Sequence, residues 1–136
     1  MAMTMCRLDR VLIAVNDEQP LTDGEWDTWI SLCLERAGKD ARALIETRGQ
    51  GGPNAKQRKR LVELQQKVDI RFAIASDSLV VRGIVTAVAW LGVPLRAFEP
   101  DDYTAAAEFL ELSASELSCV VDTLPRLRQE CLTRGR

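Results

Sequence analysis

The residues best suited to bind a ligand lie in a basic, glycine-rich stretch between positions 48 and 60. Residues 48–54, RGQGGPN, combine three glycines with a proline, and the AKQRKR that follows is strongly cationic. A glycine backbone can approach an anion closely, and the free N–H groups at the start of a helix attract negative charge. The side chains predicted to bind a partner or an anion here are Arg48, Gln50, Asn54, Lys56, Arg58 and Arg60.

Three interpretations of this basic stretch stay open from the sequence. Its cations could be solvated on an exposed helix face, dock an acidic surface of another protein, or bind a phosphate-bearing ligand. The glycine spacing completes neither GxxxxGK followed by Ser or Thr nor GxGxxG, so it does not identify a nucleotide site.

A second candidate is the Ser76-Asp77-Ser78 segment, with Arg82 one helical turn further on. The hydroxyls of Ser76 and Ser78 and the backbone N–H groups beside them could contact a ligand or a partner. Serine and aspartate at this place are also typical helix N-caps, and capping alone accounts for them.

The residues needed for catalysis are scarce. The chain has no histidine, which removes the commonest general base and the Ser–His and Cys–His nucleophile pairs. The adjacent carboxylates Asp17–Glu18 and Asp101–Asp102 fall at predicted element ends, where helix capping accounts for them. Without CxxC spacing we expect buried thiols rather than a zinc site or disulfides at Cys6, Cys33, Cys119 and Cys131. We therefore expect no enzyme activity, no metal and no cofactor.

Length and charge narrow the function further. A chain of 136 residues with 46% hydrophobic residues fits one globular domain. Its net charge of −2 gives no drive toward nucleic acid or an anionic membrane. Because the sequence has no bilayer-spanning run and MAMTMCRLDR has no continuous apolar signal-peptide core, we expect a cytoplasmic protein without membrane insertion.

Strand and helix signals alternate along the chain and position these candidates. The predicted strands cover residues 10–16, 41–47, 70–75 and 95–98, with a short edge strand at 3–8. The predicted helices begin at a Thr22–Glu25 capping box, at Asn54, at Ser76 or Asp77, at Pro100–Asp101, and at a second capping box, Ser113–Glu116. This order predicts a single α/β domain with a mostly parallel sheet of four to five strands and helices on both faces.

Two predicted helices have further consequences. The helix at 78–91 is apolar nearly all round, so it should be the buried centre of the fold or face a partner. Trp26, Trp29 and Trp90 follow helical apolar spacing, and core packing is the favoured interpretation for all three, with a partner interface as the alternative. We divide the chain into an α/β unit at 1–112 and an amphipathic helical extension at 113–136, packed on or beside it, which Pro125 should kink or split.

The segment IRFAIASDSLVVRGIVTAVAWLGVPLRAFEPDDYTAAAEFL, residues 70–110, resembles the last two βα units of the STAS domain family, in its SpoIIAA-like branch. A strand runs into a short serine-containing cap, a helix containing VVRGIV, a glycine-ended turn and a short strand before the next helix. The resemblance extends over about residues 10–112 and implies a non-enzymatic module that binds a regulatory protein. In that branch a serine or threonine at the start of the helix after the second long strand is often phosphorylated. The corresponding place, 49–54, holds no hydroxyl residue, and Thr47 is the nearest.

The leading hypothesis is therefore a STAS-like protein-binding module in a partner-switching pathway without the usual phosphoacceptor. It would bind a regulatory protein through residues 48–54, the basic helix 55–67 and the neighbouring 76–82 segment. One alternative is a structural homo-oligomer, such as a homodimer, formed through helix 78–91 or the tail helix. The other is a small-molecule site, for a nucleotide or a lipid, at the strand ends.

Overall fold

A computed structural model describes residues 3–8, 10–16, 22–35, 41–48, 55–67 and 70–134. Within these residues the chain forms five strands and five helices in the order β1 Met3–Leu8, β2 Val11–Asn16, α1 Asp23–Leu34, β3 Ala41–Thr47, α2 Ala55–Lys67, β4 Ile70–Ala75, α3 Leu79–Ala89, β5 Leu95–Phe98, α4 Tyr103–Leu110 and α5 Ala114–Arg134. The predicted α/β class and the predicted edge strand at 3–8 are confirmed.

The five strands form one sheet in chain order, β1-β2-β3-β4-β5. The edge strand β1 is antiparallel to β2, and each later pair is parallel. Every residue of β2 is buried, which explains its unbroken apolar run, because a strand covered on both faces has no outward side to fill with polar residues.

Helices cover both faces of this sheet. Helices α1, α2 and α3 pack on one face, here called the crossover face, through side chains that include Trp29, Leu64 and Val88. Helices α4 and α5 pack on the opposite face, here called the C-terminal face, where they meet Val11, Ile13 and Val15 of β2. Helix α5 supplies four buried side chains to that core: Val120, Leu124, Leu127 and Cys131.

Both predicted capping boxes are present. At α1, Thr22 N–H donates to Glu25 Oε1 (2.8 Å) and Glu25 N–H donates to Thr22 Oγ1 (3.2 Å). The same reciprocal pair joins Ser113 and Glu116 at α5. Each box satisfies two backbone donors that the first helical turn leaves unpaired.

The N-cap of α3 is Ser78 rather than Ser76 or Asp77, and that of α4 is Asp102, just after Pro100–Asp101. Asn54 lies outside the described residues.

Pro125 does not split the tail helix, since α5 is a single helix from Ala114 to Arg134. Proline removes one helical hydrogen bond, but buried side chains on both sides of it anchor the helix to the sheet. The buried Thr4 hydroxyl of β1 also donates to the Leu127 carbonyl of α5 (2.8 Å). Packing therefore outweighs the lost bond, and α5 is part of the core of the α/β unit.

Three arginines at or beside the amino ends of β2, β3 and β4 converge on the carboxyl end of α4. Arg71 donates to Phe109 O (3.0 Å), Arg42 to Leu110 O (2.7 Å) and Arg10 to Glu111 O (2.8 Å). The last carbonyls of a helix have no intrahelical partner and carry partial negative charge. The guanidinium groups supply both the missing hydrogen-bond donors and a compensating positive charge. These three contacts hold the carboxyl end of α4 against the amino ends of the parallel strands.

Replacing Leu124 with alanine tests the role of α5 in the core. Leu124 is 1% exposed, so we expect a loss of about 2–4 kcal/mol in the free energy of unfolding, measured by urea denaturation. Val121→Ala, on the exposed side of the same helix, should change it by less than about 0.5 kcal/mol. Equal, small effects of the two substitutions would show that α5 does not stabilise the domain.

Arg10 and Glu116 give the fold a pH dependence. Arg10 Nε lies 2.6 Å from Glu116 Oε2, and this hydrogen bond lowers the pKa of the Glu116 carboxyl from 4.5 to about 2. A lowered folded-state pKa contributes stability that is complete above the unfolded-state pKa and is lost as the pH falls toward 2. We expect Glu116→Gln, which keeps the capping box, to destabilise the protein near neutral pH by about 1 kcal/mol.

The same substitution should cost progressively less stability as the pH falls from about 4.5 to about 2. Urea denaturation at a series of pH values measures this difference. A cost independent of pH over that range would contradict the assignment of the pair.

Candidate functional site

The structure brings Ser76, Ser78 and Arg82 together at the turn from β4 into α3. Ser76 is 1% exposed, and its Oγ accepts the Ser78 N–H (3.1 Å). Ser78 Oγ in turn accepts the Val81 N–H (3.3 Å) as the N-cap of α3. Both hydroxyls are therefore engaged in starting the helix, as the capping interpretation expects.

Arg82 connects this turn to the end of β5. Its Nε donates to Ser76 O (3.3 Å), and its guanidinium group forms an ion pair with Glu99. The side chain holds the first turn of α3 against the neighbouring loop, and its charge is balanced within the chain.

The basic helix α2 faces the acidic first half of α1. Lys56 Nζ lies 3.9 Å from Asp23 Oδ2, and Arg60 forms an ion pair with Asp27. Gln57 is buried and donates to Asp23 Oδ1 (3.2 Å). These contacts join the two crossover helices, so part of the predicted docking charge already has acidic partners in the chain.

The remaining predicted residues of the basic stretch are spread out. Arg58 is half-buried, and Arg48 is exposed at the end of β3, where its backbone N–H donates to Asn16 O (3.4 Å). Gln50 and Asn54 lie outside the described residues. Docking or anion binding by this stretch stays a prediction.

The carboxyl ends of β2 and β3 hold a buried amide. Asn16 is 9% exposed, and its Nδ2 donates to Thr47 Oγ1 (3.0 Å) while its Oδ1 has no hydrogen-bond partner among the described residues. Because a hydroxyl can donate or accept, either orientation of the amide leaves one polar atom for a water or a ligand. The small-molecule alternative also stays a prediction.

A buried ion pair that the sequence analysis did not predict lies on the C-terminal face. Glu46, in β3, is 6% exposed and accepts two hydrogen bonds from Arg128 Nε and one from Nη2, at 2.6–3.1 Å. Arg128 also donates to the Tyr103 hydroxyl, and its pKa is raised, chiefly by the hydrogen bonds that it donates to Glu46. The guanidinium group thus joins β3, α4 and α5. No local sequence pattern around Glu46 or Arg128 predicts that the two residues pair.

Cys33 and Cys131 are buried, as predicted, whereas Cys6 is half-buried and Cys119 is exposed, so the prediction of a buried thiol is wrong for Cys119. Cys33 is 0% exposed, and burial raises the pKa of its thiol to about 12, which keeps it protonated and unreactive. In the part of the chain that the structure describes, no group of three Cys, Asp or Glu side chains is placed to hold a metal ion.

The outward side of α3 is the feature that the core does not use. Leu79 is 83% exposed and Trp90 84%, and Val80 and Leu91 are each 55% exposed. With the smaller exposed residues between them they make up what we call the outer α3 face: Leu79, Val80, Gly83, Thr86, Ala87, Trp90 and Leu91.

These exposures exclude the first of the two alternatives predicted for helix 78–91, that it is the buried centre of the fold, and the second, that it faces a partner, stays a prediction. The core prediction for Trp90 is wrong. The helix buries only Val81, Val85 and Val88, because its outward side has no second layer to pack on among the described residues. Trp26 and Trp29 are in the core as predicted. The sequence signal for the outer face was the apolar character of this helix around its whole circumference.

Comparison with protein-family models, curated proteins and solved structures finds no match to this chain. No helix in the described ranges has the length and apolar character needed to cross a bilayer. The resemblance of residues 70–110 to STAS domains therefore stays a prediction.

Reversing the charge of Arg60 tests whether α2 is paired with α1. Arg60→Glu places a second carboxylate beside that of Asp27, so we expect a loss of about 0.5–1 kcal/mol in unfolding free energy. Adding Asp27→Arg should restore most of the loss, as measured by urea denaturation of the two single variants and the double variant. Additive losses in the double variant would show that the pair does not form.

Proposed function

We propose that this chain is a non-enzymatic protein-binding module resembling STAS domains, and that it binds its partner through the outer α3 face. The observation that carries the proposal is the exposure of Leu79, Val80, Trp90 and Leu91 on one helix. The serine-capped turn at 76–78 and Arg82 position the first of these side chains.

Apolar side chains that stay in contact with water leave part of their burial free energy unused. Each large apolar side chain left in contact with water forgoes about 1.5–3 kcal/mol of burial free energy. Contiguous exposed apolar patches on single domains commonly mark interaction sites. Aromatic residues are also enriched at the centres of protein interfaces, where a few of them carry most of the binding energy. Trp90 has the type and exposure of such an anchor.

The STAS resemblance is supported by the order of the elements. From β2 to α4, strands and helices alternate as the resemblance implies, and a serine, Ser78, caps α3. Thr47, the hydroxyl residue nearest to the family's phosphorylation place, is half-buried and accepts a hydrogen bond from Asn16. The proposal therefore includes regulated binding but no phosphoacceptor at Thr47.

A photo-reactive amino acid in place of Val80 tests the proposal in cells of the source organism. Val80 lies on the outer α3 face, so illumination should produce covalent protein adducts that mass spectrometry can identify. The same amino acid in place of Gln66, exposed on α2, is the matched control.

We expect adducts from position 80 of one defined composition, and far fewer from position 66. Equal labelling from both positions, or no adduct from position 80, would contradict the proposed surface. Introducing Trp90→Ala alongside the photo-reactive residue should reduce the adduct, since it removes the largest anchor.

A further inference from the structure

We propose that the partner on the outer α3 face is a second copy of this chain, bound with its α3 antiparallel to the first about a two-fold axis. This inference rests on the proposed function, because it names the occupant of the same surface. Three observations carry it: the size pattern along the helix, an unexplained glycine, and the absence of charge.

The size pattern is symmetric about the middle of the helix. Leu79, Gly83, Thr86 and Trp90 recur at spacings of four, three and four residues, which aligns them in one stripe. Trp90 belongs to the stripe because its N–H still donates to Thr86 O (3.2 Å). The order is large, small, small, large, with its midpoint between positions 84 and 85.

An antiparallel two-fold pairing matches this order to itself. It places Leu79 of one copy against Trp90 of the other, and Gly83 against Thr86. Small residues then meet at the crossing point, and large ones fill both ends. An isologous contact requires such self-complementarity.

Gly83 has no packing role among the described residues of a single copy. A Cβ built on it meets none of their atoms within 4 Å, so packing within this part of the chain does not require a glycine there. Glycine in a helix interior costs roughly 0.5–1 kcal/mol relative to alanine. A helix of a second copy approaching at this point accounts for the residue, because small side chains let two backbones come close.

The charge distribution suits a second copy better than a charged partner. The seven residues of the outer α3 face include no ionisable side chain. The nearest cation, Arg82, is paired with Glu99. Two identical faces therefore meet without repulsion, whereas an acidic or basic partner would find no complementary charge on this face.

The area is consistent with a reversible dimer. Trp90 alone offers roughly 130–210 Å², since aromatic side chains bury 150–250 Å² each. With three further large apolar side chains the patch approaches the small end of specific interfaces, which bury about 600 Å² or more per partner. We expect dissociation in the micromolar range.

Directed disulfide formation tests the geometry, using purified protein in which Cys6→Ser and Cys119→Ser remove the more accessible thiols. Leu79→Cys and Trp90→Cys are made as separate variants and mixed under mild oxidation. The antiparallel dimer brings position 79 of one copy within disulfide reach of position 90 of the other, so the mixture should give a covalent heterodimer.

Each variant alone should remain uncross-linked, because two copies of the same position lie about 16 Å apart along the helix pair at 1.5 Å per residue. Equal cross-linking of each variant alone, or none in the mixture, would overturn the antiparallel dimer.

A substitution at Gly83 tests the dimer independently, because it should weaken dimerisation without destabilising the monomer. Gly83→Leu should raise the dimer dissociation constant more than tenfold in sedimentation equilibrium, because its side chain occupies the crossing point. The same substitution should leave the unfolding midpoint of dilute monomer unchanged or higher, since the site is open and leucine favours helix. An unchanged dissociation constant would overturn the proposal.

Failure of this inference is distinguishable from failure of the proposed function. Adducts at position 80 with a different protein, from a chain that stays monomeric at high concentration, would overturn the second copy and retain the binding surface. Absence of any adduct at position 80 would overturn both.

Discussion

The rest of the structure depends on the need to cover both faces of a parallel sheet whose strands follow one another in chain order. Crossovers between neighbouring parallel strands are almost always right-handed, so strands added in one direction place every crossover helix on the same face. Helices α1, α2 and α3 accordingly share the crossover face. The opposite face carries the apolar side chains of β2 together with Leu44 of β3 and Ala73 of β4. The charged Arg42, Glu46 and Arg71 lie beside them, and the chain after β5 covers this face with helices α4 and α5.

The same chain order leaves the outward side of α3 uncovered by any other described element. The helix packs on the last parallel strands, β4 and β5, and turns its outward side away from the core. Three polar residues beside it are paired: Ser76 and Ser78 in the cap, and Arg82 with Glu99. An apolar helix side bordered by satisfied polar groups is suited to a protein surface, and its palindromic sizes suit a copy of itself.

Local patterns predicted most of the fold, and non-local contacts account for what they missed. The unbroken run of β2 and the Thr22–Glu25 box each carry their signal within a few residues, so strands and helix starts could be placed. Arg42 and Glu46 are buried in β3 by partners some 70 to 80 positions away, which no local pattern reveals. Helix 78–91 could be predicted as apolar, but its exposed side depended on which elements lie beside it. The basic stretch was judged by its own charge, whereas Asp23 and Asp27 of α1 lie against it.

A dilution series of the three tryptophan indole N–H signals by NMR tests the central claim most directly. Trp26 and Trp29 are 7% and 2% exposed in the core, so they serve as internal controls, while Trp90 is 84% exposed on the outer α3 face. The account predicts that the Trp90 signal shifts or broadens with rising protein concentration while the other two stay constant. A Trp90 signal that does not change with concentration, and stays as sharp as that of a solvated side chain, would contradict it.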